Sequence, residues 1–405
     1  MNRGYLNALS MCVSIFAAGG IVGSVSPVFV LMMEELGVSA LRMGLLAGAS
    51  LVGFALLGGA LVIGSDKLIT REGFGTLVTF LMGGVVLSGL VPLFTHSYWI
   101  LWFSRLLAGL CCIGLALLML ILAVEWFIER LNFMVVMGIV SMVLGVLVVS
   151  FFGSLMSEEL GGWEVLPACF GVVGMGALGV WIKGEPLPFI PDGGAPPPSS
   201  PLRVLKNRGV WYSSLILYTL LSYLGVFTFV FVALAGRWDV AVMSKRMTFP
   251  TPFYIAAAIN SFLLIFAASL FLSVAEGKGR RRTMCVVSGL LGPLFAFVAL
   301  SLPFSGMWIG VVLEMIMLAL LQLAVIIPVW VIELQELPGV TLDLMIPAIG
   351  AILAIAGAMG ALVPCAIGWA LDQGWSTFET ILKLSVLSWT LCALAGFLLI
   401  KPEYE

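Results

Sequence analysis

Residues 99–124 read WILWFSRLLAGLCCIGLALLMLILAV, with Arg105 as the one charge in the run. About 20 apolar residues in a helix suffice to cross the hydrocarbon of a bilayer, and a helix apolar on every face must be buried in protein or lipid. Runs of the same kind follow one another along the chain, and we place spans near 5–31, 42–64, 74–95, 99–124, 132–156, 163–182, 210–235, 252–274, 282–303, 306–331, 345–370 and 377–400. Inside a membrane every backbone N–H and C=O must be met internally, which leaves helices or a closed barrel. Continuous apolar runs, unlike the alternating ten-residue segments of a barrel, select helices.

Composition agrees. Of 405 residues, 61% are hydrophobic and 10% charged, against about a quarter charged in soluble domains, and the mean hydropathy is +1.18. The net charge of −2 and the lack of a basic block argue against a nucleic-acid partner. The seven cysteines fall within or at the ends of apolar spans without CxxC spacing, so they read as small packing residues and not as metal ligands or disulfides. No phosphate-cradling GxxxxGK[ST], no HExxH and no strand-to-helix GxSxG is present, so neither an enzyme nor an ATP-driven pump is expected, and no metal or cofactor. Arg3 before an apolar run imitates a signal peptide, but the run extends to Met33, too far for one, so it reads as the first span.

Basic residues divide between alternate connections. One set, with both termini, holds thirteen (Arg3, Lys67, Arg71, Arg130, Lys183, Arg203, Lys206, Arg208, Lys278, Arg280, Arg281, Arg282, Lys401), and the other holds five (Arg42, Arg237, Lys245, Arg246, Lys383). The positive-inside rule then puts both termini in the cytoplasm, as an even number of spans requires. The stretch Gly184–Pro201 contains seven of the nineteen prolines. It reads as a semi-rigid linker that separates six spans from six: a bundle of residues 1–183, a linker of 184–209 and a bundle of 210–405.

Three features recur at nearly one offset. Gly162-Trp163 returns as Gly374-Trp375 after 212 positions, Asp66 has a counterpart in Glu276 after 210, and Arg105 matches Glu314 after 209. Such spacing predicts a duplicated unit, and parallel six-helix repeats are one design for alternating access.

The connections after spans 2 and 8 carry a more specific pattern. The second reads Ala275-Glu276-Gly277-Lys278-Gly279-Arg280-Arg281-Arg282 and the first Gly64-Ser65-Asp66-Lys67-Leu68-Ile69-Thr70-Arg71. With the two halves and the linker, this resembles the major facilitator superfamily, whose signature there is Gly-x-x-x-Asp-Arg/Lys-x-Gly-Arg/Lys-Arg/Lys; the first loop keeps only the Asp-Lys pair. Arg105-x-x-x-Gly109-x-x-x-x-Gly114 is similar to that family's fourth helix. The Gly-Pro ending of the antiporter signature is missing from span 5, as is the sugar-porter signature after span 6. The resemblance implies a two-bundle transporter fold, with Asp66, Lys67, Arg71, Glu276, Arg280 and Arg281 stabilising one of its two states and spans 1, 4, 7 and 10 lining the cavity.

A charge within a span costs about 2.5–3.5 kcal/mol on insertion scales, so it is usually functional and faces a cavity. Arg105 and Glu314 each lie about 10 Å inside their spans at ~1.5 Å per residue. Arg105 is the candidate for a substrate carboxylate, and Glu314 for a cationic group or a coupling proton; the competing account has each pairing with a polar group to lock helices together. Tyr218 and Ser222 share a face of span 7. Together with Tyr223, Asn260 and Gln322 they are candidate ligand contacts, or interhelical hydrogen bonds. His96 reads as a surface loop residue, and Pro27, Pro328, Pro347 and Pro364 as interruptions of spans 1, 10 and 11.

The expected protein is thus all-helical, with twelve spans, monomeric and in the plasma (cell inner) membrane. It moves a small-molecule substrate, an organic anion or amino-acid-like zwitterion, by alternating access as a uniporter or symporter. An exporter of lipophilic cations and a non-transporting sensor of the same fold are the alternatives.

Overall fold

The apolar runs fold as helices. A computed structural model describes residues 3–68, 73–126, 131–184, 201–237 and 344–400, with Val286, Val287, Leu290, Leu291 and Leu294. The expected spans 252–274 and 306–331 lie outside the described residues, as does most of 282–303. In chain order the α-helices are α1 (Arg3–Gly23), α2 (Phe29–Leu36), α3 (Ala40–Leu68), α4 (Phe74–Leu90), α5 (Tyr98–Trp126), α6 (Leu131–Leu160), α7 (Val165–Lys183), α8 (Arg208–Arg237), α9 (Met345–Asp372) and α10 (Thr377–Ile400). Every regular element among the described residues is helical. Six stretches among them are long and apolar enough to cross a membrane: Tyr5–Leu36, Ala40–Gly64, Phe74–Phe94, Tyr98–Ala123, Val165–Lys183 and Met345–Asp372.

The first span is not one continuous helix. α1 stops at Gly23, a single 3-10 turn follows over Ser26–Val28, and α2 resumes at Phe29. Pro27 brings no N–H for the carbonyl four residues back, so the ladder fails there, as expected. Pro328 lies outside the described residues, and Pro347 and Pro364 do not break their helix. Pro347 sits in the first turn of α9, where its N–H would have had no acceptor anyway, and Pro364 is carried inside a helix that runs on to Asp372.

Side-chain bonds show which ends of the helices lie together. His96, before α5, meets Glu164, before α7, at 2.8 Å; Glu35 at the end of α2 accepts from Trp163 Nε1 at 2.7 Å; and Asp372 at the end of α9 meets the start of α3. All these connections therefore share the end opposite the linker, as an up-and-down course demands. At the linker end Trp181 Nε1 of α7 donates to Thr79 Oγ1 of α4 at 3.0 Å.

Packing follows a repeated scheme. α1 lies against α6 and α7, and α8 lies against α9 and α10 in the same relation. The turns that close α6 and α9 also match, each through a left-handed glycine, Gly161 at φ 92° and Gly374 at φ 74°. By shape Gly161, not the adjacent Gly162 that the sequence pairing picks out, is the equivalent of Gly374.

Among the described residues the most extensive seam runs between α3 and α9, from opposite sides of the linker. A Cβ at Gly48 would lie 2.9 Å from the Ala361 carbonyl oxygen, one at Gly357 would lie 2.8 Å from Ala55 N, and one at Gly350 would lie 2.7 Å from the Gly58 oxygen. Lipid supplies no hydrophobic drive between helices, so close backbone approach through small residues is what holds them. The adjacent glycines of α3 separate this role cleanly. A Cβ at Gly58 would lie 2.5 Å from the Gly350 oxygen, whereas one at Gly59 meets nothing within 4 Å. We expect Gly58→Leu to destabilise the purified protein by about 1–3 kcal/mol through overpacking, and Gly59→Leu to leave it unchanged, read by thermal unfolding on tryptophan fluorescence. Equal midpoints for the two variants would mean that α3 and α9 are not in backbone contact.

Candidate functional site

The only charged side chain buried among the described residues is Arg105, 5% exposed, in the second turn of α5. Its surroundings follow from the break in the first span. Where a helix stops, its last carbonyls lose their partners, and here Ser24 N reaches the Ile21 oxygen only by a 3.3 Å bond of 3-10 type. The guanidinium supplies what is missing. Arg105 Nη1 donates to the Ile21 carbonyl and, at 3.3 Å, to that of Val22, while Nη2 donates to Ser24 Oγ at 2.6 Å. Ser24 Oγ in turn donates to the Ile21 oxygen at 2.9 Å.

Electrostatics favour the arrangement, because the C-terminal end of α1 carries the negative pole of the helix dipole. A planar fork with five N–H donors also suits several acceptors better than an ammonium does. Close packing brings the helices near enough. Gly109, one turn beyond Arg105, packs its Cα against the backbone of Ser50 in α3, and Ser104 Oγ donates to the Ser88 oxygen of α4 at 2.8 Å.

Tyr218 and Ser222 do share a face of α8, and both are buried. They meet Ser388 of α10, with Ser388 Oγ 3.3 Å from Tyr218 Oη and 3.1 Å from Ser222 Oγ. Thr219 joins them by donating to the Ser388 carbonyl at 2.9 Å. These contacts form an interhelical hydroxyl network, of which Thr219 and Ser388 escaped the sequence reading. On α1, the oxygens Asn7 Oδ1 and Ser14 Oγ are buried and have no hydrogen-bond partner among the described residues. A serine in an apolar span carries no signal by itself, and only the structure shows the hydroxyl unmet.

Other expected positions cannot be joined to these. Glu314, Asn260, Gln322, Arg71, Glu276, Arg280 and Arg281 lie outside the described residues, and at Tyr223, Asp66 and Lys67 only the helical backbone is described. His96 sits in its loop, 64% exposed, paired with Glu164. Among the described residues, no group of three or more His, Cys, Asp or Glu is placed to hold a metal ion.

Comparison with protein families places the arrangement. A model of the Major Facilitator Superfamily matches residues 11–332, well over half of the chain. The chain belongs to the major facilitator superfamily. It is accordingly an integral, multi-pass membrane transporter of that superfamily, and the family's members are in general not enzymes. A comparison with curated proteins found no match.

For this superfamily member the Arg105 contacts have a measurable weight. Arg105→Ala removes the charged donor that the Ile21 and Val22 carbonyls and the Ser24 hydroxyl share, and hydrogen bonds to a charged group are worth about 1.5–3 kcal/mol. We expect a loss of that order in Arg105→Ala, a smaller loss in Ser24→Ala, and a double variant well short of the sum, read from unfolding of the purified protein. Strict additivity would show that the two side chains do not meet.

Proposed function

We propose that the protein is a secondary carrier for a small organic anion or an amino-acid-like zwitterion, working by alternating access between a bundle of residues 1–183 and a bundle of residues 210–405. Superfamily membership supports transport. The matching relation of α1 to α6 and α7 and of α8 to α9 and α10 supports a duplicated unit. Twelve spans, cytoplasmic termini and a plasma-membrane location complete the reading, with the basic connections Asp66–Arg71 and Glu276–Arg281 holding the halves together on the linker side.

The observation that carries the substrate class is Arg105. Three contacts occupy its Nη atoms, while a guanidinium has five N–H donors in all. The remaining donors suit a carboxylate, which accepts them in a charge-assisted pair. Glu314, its partner by offset, supplies the opposite charge for an ammonium group or a proton. Ser14, whose buried hydroxyl on α1 has no partner among the described residues, is a further ligand contact, since an unmet polar group in a native interior calls for a water or ligand.

Reconstituted into liposomes, the protein should take up or exchange an organic acid or amino acid without ATP. Arg105→Lys should keep the fold and lower the transport rate at least tenfold, because one ammonium cannot reproduce a bidentate fork. Glu314→Gln should abolish the response to an imposed pH gradient. Wild-type rates in both variants, for a solute that the protein does move, would remove the assignment of these residues, and selective efflux of lipophilic cations would favour the exporter.

A further inference from the structure

At the end opposite the linker, one carboxylate joins the two sides of the chain. α3 begins at Ala40, and the first N–H groups of a helix have no partner within it. Ser39 serves two of them, through its Oγ to Arg42 N at 3.4 Å and through its carbonyl to Met43 N at 3.1 Å. The other two belong to a residue 332 positions away. Ala40 N donates to Asp372 Oδ1 at 2.9 Å and Leu41 N to Asp372 Oδ2 at 3.0 Å. Each carboxylate oxygen thus takes one N–H, and the charge sits at the positive pole of α3.

The contact lies at the head of the α3–α9 seam. One turn before Asp372, Gly368 abuts the Ala40 carbonyl, and a turn further in, Pro364 abuts Gly44. Prising this end apart would pull Asp372 away from α3 and leave the Ala40 and Leu41 N–H groups to water. A closed end therefore has two charge-assisted bonds that an open end lacks, and a contact made in one state only biases the equilibrium between states.

We propose that Asp372 is a latch that holds the end opposite the linker shut, favouring the conformation in which the substrate path opens only on the linker side. The inference rests on the alternating-access reading above but on neither its substrate nor its site. Asp372 acts on the balance between the two states and touches no ligand.

The test uses the full chain in lipid nanodiscs, with the seven native cysteines replaced and spin labels on cysteines at Glu159 and Gln373, exposed positions at the ends of α6 and α9. Pulsed electron–electron distance measurement needs no substrate, so its outcome is independent of whether the solute class is right. We expect one short distance to dominate in the Asp372 protein, and Asp372→Asn and Asp372→Ala to raise the weight of a longer distance about tenfold, a modest value for exposed charge-assisted bonds. Gly44→Leu, a wedge in the same seam, should lengthen the distance whether Asp372 is present or not. Asp372→Asn keeps the shape of the side chain and decides the matter if Asp372→Ala does not fold. Unchanged distances in the Asp372 variants alongside a lengthened one in Gly44→Leu would overturn the latch, as would a Gly44→Leu variant that stays closed.

Discussion

Backbone groups at the ends and breaks of helices lack partners within the helix, and in this protein two such sets find charged partners on other helices. The carbonyls freed where α1 stops are met by Arg105 of α5. The first two N–H groups freed where α3 begins are met by Asp372 of α9. Each charge sits on the pole of the helix dipole that favours it, a cation on a C-terminal end and an anion on an N-terminal end. Both therefore solve a problem of peptide geometry before any question of substrate arises.

The remaining cohesion comes from proximity. Glycines on α3 and α9 bring two backbones into contact along most of a span, and Gly109 of α5 and Gly53 of α3 bring those two helices equally close over a shorter stretch. In lipid, where apolar side chains gain nothing by leaving their surroundings, such approach is what makes dispersion and dipolar contacts add up. A long, smooth seam of this kind also suits motion. It has few side chains to unlock, so a few polar contacts at its ends can set which arrangement is preferred, and Asp372 stands at one such end.

How far the sequence reveals this depends on the type of signal. The spans 42–64, 74–95, 99–124 and 345–370 were legible to within a few residues because length and hydropathy decide them. Pro27 marks the break in the first span, whereas Pro364, expected to interrupt its span, is carried within α9, since a helix within a membrane protein can absorb a proline when its neighbours close around it. Arg105 was legible as a charge that must be used, and a polar partner on another helix was one of its two expected uses, but main-chain carbonyls have no signature in a sequence, so which groups it meets was not. Tyr218 and Ser222 could be placed on one face from their spacing, whereas Ser388 belongs to another helix and nothing local ties it to them. Nothing in the sequence singles out Asp372, because its partners are two amides 332 and 331 positions away.

An experimental structure of the whole chain in lipid nanodiscs, resolved well enough to follow the Arg105 side chain, bears most directly on this account. It should show the guanidinium reaching the Ile21 and Val22 carbonyls at a first span interrupted between Gly23 and Phe29. A guanidinium turned toward lipid, or a first span continuous through Pro27, would contradict it.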